Sequence, residues 1–215
     1  MLYDLFPPHT AAIFDLDGTL IDSMWVWHRV DALFFAVRGI RMPEDYPLAV
    51  QTFTFAETAA YTVERFGLTE SPRQIMDEWN EASSNLYRDE VKMKAGAKEY
   101  LLWLKSRGVK LGTATSLTTH VMQSVLAGNG VIDLFDALTS GDEVPRGKAY
   151  PDIFLLAAQK LQTEPAQCVA FDDIAKAMRG IKAAGMTACA VHEPESHQDW
   201  DEMQRLADIC VRGFA

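Results

Sequence analysis

Two aspartates with one residue between them, Asp15 and Asp17, close the short apolar run Ala11-Ala12-Ile13-Phe14. Side chains two apart on an extended chain point the same way, so both carboxylates begin on one side. Acids placed like this at the end of a buried strand repel unless a proton or cation lies between them. Gly18 follows and lets the backbone turn sharply. A calcium-binding loop would need further acids and a closing glutamate; Thr19-Leu20-Ile21 stands there instead.

Three more polar clusters lie downstream: Thr115-Ser116, Lys148 and Asp172-Asp173. Each alone has an ordinary reading. A hydroxyl residue before a helix is usually an N-cap, a lone lysine there is usually solvated, and acids after a strand often cap the next helix. Together they supply acids for a divalent cation, hydroxyl and N–H donors for phosphate oxygens, and one ammonium. Phosphoryl transfer requires these parts, because its catalysis is mostly positioning and charge stabilisation.

The elements that must carry these clusters show as apolar runs between breakers. Residues 11–14, 109–114, 168–171 and 187–191 read as buried strands. Helical patterns occupy 97–105, 118–126, 152–161, 175–184 and 200–207. Strand–helix alternation implies an α/β fold, a Rossmann-like three-layer core around a parallel sheet. From residue 23 to about 92 the pattern is helical throughout. Trp27, Val30, Phe34 and Val37 recur at helical spacing, as do Phe55, Ala59, Val63 and Phe66, then Ile75, Trp79, Ala82 and Leu86. The expected organisation is a core from residues 1–22 and 93–215, with an inserted α-helical bundle at 23–92. An insertion after the first strand belongs near the carboxyl end of the sheet, where ligands bind in open parallel sheets.

Composition narrows the partners. The chain has 215 residues, 48% of them hydrophobic, and a formal net charge of −10. That charge argues against a nucleic-acid backbone or an anionic membrane as partner, but not against a small anion met by a local cation. Cys168, Cys189 and Cys210 are odd in number and lack metal-ligand spacing, which suits free thiols in a reducing cytoplasm. The N-terminal stretch has an acid and two prolines where a secretory leader would be basic, then apolar. A cytoplasmic monomer or weak homodimer is expected.

In order, Asp15-Leu16-Asp17-Gly18-Thr19-Leu20-Ile21-Asp22-Ser23, Ala114-Thr115-Ser116, Gly147-Lys148-Ala149-Tyr150-Pro151-Asp152 and Phe171-Asp172-Asp173 resemble the four motifs of the haloacid dehalogenase superfamily. The likeness covers the whole chain. The helical insertion is similar to the small cap of its β-phosphoglucomutase-like and phosphoglycolate-phosphatase-like branches. The resemblance implies a Mg²⁺-dependent phosphatase that hydrolyses a small phosphate monoester through an aspartyl-phosphate. In it Asp15 is the nucleophile, and Asp17 is the general acid and then base. Thr115, Ser116 and Lys148 hold the phosphoryl group. Asp15, the Asp17 main-chain carbonyl, Asp172 and Asp173 hold the metal.

The chain also departs from that pattern. Asp172-Asp173-Ile174 stands where Glu-Asp-Ser is frequent, and Ala177 where glycine is usual. Trp27 occupies the place of a histidine implicated in mutase-type proton handling. No arginine lies between Gln51 and Glu57, where mutases often grip a second phosphate. A phosphomutase is therefore the second reading, and a non-catalytic phosphoryl-binding module the third. Trp25 and His28, at the start of the insertion, are candidates for shaping the substrate pocket. Arg41, Arg65 and Arg88 read as solvated, and the acidic stretch 193–202 as an exposed loop and helix start.

Overall fold

The computed structural model describes residues 9–50, 53, 55–195 and 200–215. The N-terminal stretch read against a leader peptide, residues 51, 52 and 54 of the arginine-free stretch, and residues 196–199 of the acidic stretch lie outside that range. The chain divides into two compact units, residues 1–24 with 91–215, and residues 25–90.

The first unit is built on a parallel sheet of β1 (Ala11–Phe14), β4 (Lys110–Thr113), β5 (Cys168–Asp172), β6 (Thr187–Val191) and β7 (Ile209–Val211), in the order β4-β1-β5-β6-β7. β1 lies between β4 and β5, with Phe14 opposite both Thr113 and Phe171. Because both faces are covered, β1 is apolar at every position and fully buried. Ala11 and Ile13 share one core cluster with Cys168 and Ala170 of β5, Ile153 and Phe154 of α7 (Asp152–Lys160), and Met178 and Ile181 of α8 (Ala175–Ala183). On the other face Phe14 stacks on Phe171 at 4.5 Å, against Tyr100 of α5 (Ala97–Ser106) and Phe214. The stacked aromatics immediately precede Asp15 and Asp172, so core packing fixes where those carboxylates emerge.

The expected strands and helices of this unit are present, with ends shifted by one or two residues. Two pairings are additional. β7 extends the sheet beyond β6, and β2 (Ile21–Asp22) pairs antiparallel with β3 (Lys92–Met93). β2 and β3 flank the helical insertion in sequence. The remaining helices are α6 (Thr119–Gly128) and α9 (Trp200–Leu206). Among the described residues no helix is long and apolar enough to cross a membrane. Cys168 and Cys189 are buried, Cys210 is exposed, and all three are free thiols.

The second unit contains α1 (Val26–Val37), α2 (Tyr46–Val50), α3 (Phe55–Phe66) and α4 (Pro72–Asp89). α4 begins on a capping box: Ser71 Oγ accepts from Gln74 N–H at 3.4 Å, and Gln74 Oε1 accepts from Ser71 N–H at 2.9 Å. Phe35, Tyr46 and Phe66 meet edge-on or tilted, and Phe34 and Phe55 flank Trp79. Arg65 is not merely solvated, since it grips both oxygens of Asp45 at 2.9 Å.

Asp31 of α1 is held partly out of water. Burial raises its carboxyl from the ordinary 3.8 to about 6, with His28 opposing. The folded carboxyl keeps its proton up to about pH 6, whereas the unfolded one loses it near 3.8. The folded state thus holds more protons in that window, and stability falls as pH rises through it. Asp31→Asn is expected to raise the melting temperature at pH 8 by roughly 2–4 °C, the shift about 1 kcal/mol produces at this chain length once solvent screening is allowed for. At pH 4 the gain should vanish. Calorimetry at the two pH values checks this.

Candidate active site

The first cluster leaves β1 on a tight turn. The Leu16 carbonyl accepts the N–H groups of Thr19, Leu20 and Ile21 at 2.9–3.1 Å. Gly18 at the centre of the turn has φ +70°, in the left-handed region. A Cβ there would collide with the Asp173 carboxylate, lying 2.8 Å from its Cγ. Glycine is therefore required twice over, for conformation and for the close approach of the fourth cluster to the first.

Asp15, Asp172 and Asp173 are all buried, and each offers an oxygen within 4.8 Å of the others. Adjacent strands explain the convergence, because β1 and β5 are paired in register up to Phe14 and Phe171. Lys148, on the loop before α7, reaches in between. Its ammonium pairs with Asp15 Oδ1 and donates to Asp172 Oδ2 at 2.7 Å. Asp172 Oδ1 accepts from Ile174 N–H at 3.2 Å, and Thr19 Oγ1 donates to Asp173 Oδ1 at 3.4 Å.

The electrostatics follow from burial. For Lys148, burial pushes the ammonium down, but Asp15 and Asp172 together outweigh it and hold it above the ordinary lysine range. Burial pushes the Asp172 carboxyl well up, with Lys148 opposing and Asp15 and Asp173 adding to the rise. Three buried carboxylates converge here with one ammonium. Clustered, all-oxygen anionic donors of this kind fit a hard divalent cation.

Asp17 stands apart from this group. Its Oδ1 accepts the Ser23 hydroxyl at 2.6 Å, and it is only partly buried. The first motif thus separates its two acids: Asp15 enters the charged cluster, while Asp17 is oriented by a neutral hydroxyl.

Thr115 follows β4 and is fully buried. Its N–H donates to the Thr139 carbonyl at 3.3 Å, and its Oγ1 accepts from Leu117 N–H at 3.2 Å, which leaves the hydroxyl proton for another acceptor. Neither Thr115 nor Ser116 caps α6. That role falls to Thr118, whose Oγ1 accepts from Val121 N–H at 3.4 Å. Ser116 is exposed and shares with Lys148 the wall of a cavity of about 320 Å³ that Arg146 and Gly147 also line. Asp172 and Asp173 do not cap α8 either, whose N-cap is Ile174. Lys148 is buried, not solvated. Trp25 is half-buried at the start of α1 and His28 is exposed along it.

Gly180, inside α8, is a residue the sequence reading missed. A Cβ there would collide with the Lys148 carbonyl and lie 2.8 Å from that of Tyr150. The loop that delivers Lys148 rests on this bare stretch of helix. The available signal was a glycine within Ala-Lys-Ala-Met-Arg-Gly-Ile-Lys-Ala, since glycine in a helix interior is unfavourable by about 1 kcal/mol against alanine and calls for a packing reason. The acidic stretch also needs correction. Glu193 is buried, where it pairs with Lys94.

A parallel sheet whose order reverses at β1 gathers acids, hydroxyl and ammonium at its carboxyl edge, and the family match makes the chain a phosphoric monoester hydrolase. The chain belongs to the haloacid dehalogenase-like hydrolases, whose family model matches residues 9–185. It is 29% identical over 195 residues to hexitol phosphatase B of Escherichia coli, covering 88% of this chain and 86% of that protein. It is also 29% identical over 194 residues to the β-phosphoglucomutase of Bacillus subtilis, covering 84% and 82%. Among solved structures, a putative β-phosphoglucomutase from Thermotoga maritima superposes with a TM-score of 0.82 at 23% identity, covering 95% of this chain and 94% of that one, a likeness of fold.

Gly180→Ala is expected to push the Lys148 loop off α8. Overpacking of this kind should destabilise the protein by about 1–3 kcal/mol, and turnover should fall about tenfold through misplacement of the ammonium. Chemical denaturation and initial rates on one preparation check both.

Proposed function

We propose that the chain is a Mg²⁺-dependent phosphatase of small phosphate monoesters, acting through an aspartyl-phosphate on Asp15. The observation that carries this reading is the buried convergence of Asp15, Lys148, Asp172 and Asp173. Asp15, the Asp17 main-chain carbonyl, Asp172 and Asp173 would hold Mg²⁺, which when bound offsets the charge of the phosphoryl oxygens facing the carboxylate nucleophile.

The chain's own groups divide the rest of the work. A carboxylate oxygen of Asp15 attacks phosphorus, and the bond from phosphorus to the ester oxygen breaks. Asp17 gives its proton to the departing alcohol, then takes one from the water that attacks the aspartyl-phosphate, whose bond from phosphorus to the Asp15 oxygen breaks to free the carboxylate and inorganic phosphate. Orientation by Ser23, outside the carboxylate triad, suits a group that must exchange protons. The Lys148 ammonium, paired with Asp15, holds the transferring group. Thr115 donates its hydroxyl to a phosphoryl oxygen, with Ser116 beside it.

The substrate class is a sugar phosphate, a nucleotide or a related metabolite. Similarity to a protein named hexitol phosphatase B supports the sugar branch. Trp25 and His28 on the helical unit are proposed to shape the pocket for the leaving group. A second reading, a β-phosphoglucomutase-like phosphomutase, draws on the equal identity to such an enzyme. Trp27 speaks against it: the position is a half-exposed indole packed edge-on against Phe55 at 5.7 Å, with no group for proton transfer.

Hydrolysis of an aryl phosphate is expected to require Mg²⁺, to stop on chelation, and to fall more than about 10³-fold in Asp15→Asn. Full activity in that variant, or after removal of metal, would overturn the mechanism. Isomer formation from a sugar monophosphate on addition of its bisphosphate would select the mutase.

A further inference from the structure

Lys94 lies just after β3 and grips the turn that carries Asp17 at two points. Its N–H donates to the Leu20 carbonyl at 2.9 Å, and its ammonium donates to the Gly18 carbonyl. The same ammonium pairs with Glu193, which follows β6 and whose other oxygen accepts from Glu195 N–H at 3.1 Å. Glu193 is 8% exposed and Lys94 18%. A surface ion pair between long side chains contributes little. This one is largely withdrawn from water and spans 99 residues of sequence.

We propose that the Lys94–Glu193 pair is a positioning device for catalysis, fixing the Gly18 peptide and through it the placement of Asp17. Gly18 has no side chain and sits at φ +70°, so it is the freest backbone position in the turn. On its β1 side the turn is anchored by the strand. Beyond Gly18, the Leu16 carbonyl takes the Thr19, Leu20 and Ile21 N–H groups, and Lys94 holds the Gly18 carbonyl on the other edge of the same peptide. The Asp173 carboxylate packs directly against the Gly18 Cα, so the same grip sets how closely the first and fourth clusters approach. Glu193 neutralises the ammonium, so Lys94 acts by where it holds the carbonyl and not as a second cation for substrate. The inference rests on the assignment of Asp17 as acid and base.

Removing Lys94 alone would leave Glu193 buried and unpaired, which threatens folding. The test therefore uses Lys94→Met/Glu193→Gln, which keeps an acceptor for Glu195 N–H, beside Lys94→Arg. With an aryl phosphate and Mg²⁺, kcat of the double variant should fall roughly 10- to 100-fold, with KM within about twofold and the melting temperature nearly unchanged. Lys94→Arg should restore most of the rate. A kcat within about twofold of the parent, or a loss confined to KM, would overturn the proposal. Hydrogen exchange reads the clamp without turnover: the amides of Thr19, Leu20 and Ile21 should exchange at least about tenfold faster in the double variant, while those of β5 stay protected. Unchanged exchange overturns the clamp even if the parent hydrolyses nothing, a result that would separately sink the hydrolase reading.

Discussion

A buried ammonium between two buried carboxylates is the constraint around which the first unit is arranged. Lys148 cannot leave that position without stranding charge in the interior, and Asp15 and Asp172 cannot approach so closely without it. The neighbouring features serve to place these groups. The in-register pairing of β1 and β5 puts the two acids side by side. The stacked Phe14 and Phe171 fix both strand ends from the opposite face. The bare helix surface at Gly180 lets the lysine loop descend far enough to reach them. Clustered carboxylate oxygens of this kind are the donor set that a hard divalent cation would fit.

The two acids of the first motif show how short a stretch of chain can place one residue type in two different surroundings. Asp15 is enclosed with an ammonium and other carboxylates. Asp17, two residues on, meets a serine hydroxyl in a partly open setting. Strand periodicity starts both on one side of the chain, and the turn at Gly18 then separates their surroundings. The net charge of −10 is no obstacle to an anionic substrate, because what a phosphate meets is the local arrangement of donors.

Much of this was legible from residue types alone. Apolar runs bounded by glycine, proline and acids marked four of the five sheet strands, and the four polar clusters followed those strands or opened a helix. What escaped notice depends on tertiary distance. β7 is three residues long, and β2 and β3 are two each, too short for any periodicity to register. Nothing in the sequence singles out Lys94, and Glu193 reads as part of an exposed acidic stretch, until the fold brings the two together beside the Gly18 carbonyl. Thr118 takes the capping role that Thr115 and Ser116 could have filled, which is visible only once the helix start is known. Gly180 carried a signal, but the loop it admits lies some thirty residues earlier in the chain.

The short ladder of β2 and β3 has a consequence for ancestry. Asp22 and Lys92 face each other across two hydrogen-bonded strands, so the intervening segment departs and returns at neighbouring points. Loop closure there is already met by the ladder, whatever lies beyond it. A helical bundle, a longer domain or a tight hairpin could be spliced between those two residues without re-registering the parallel sheet. Such an exchange would leave the paired strands that deliver Asp15 and Asp172 where they are.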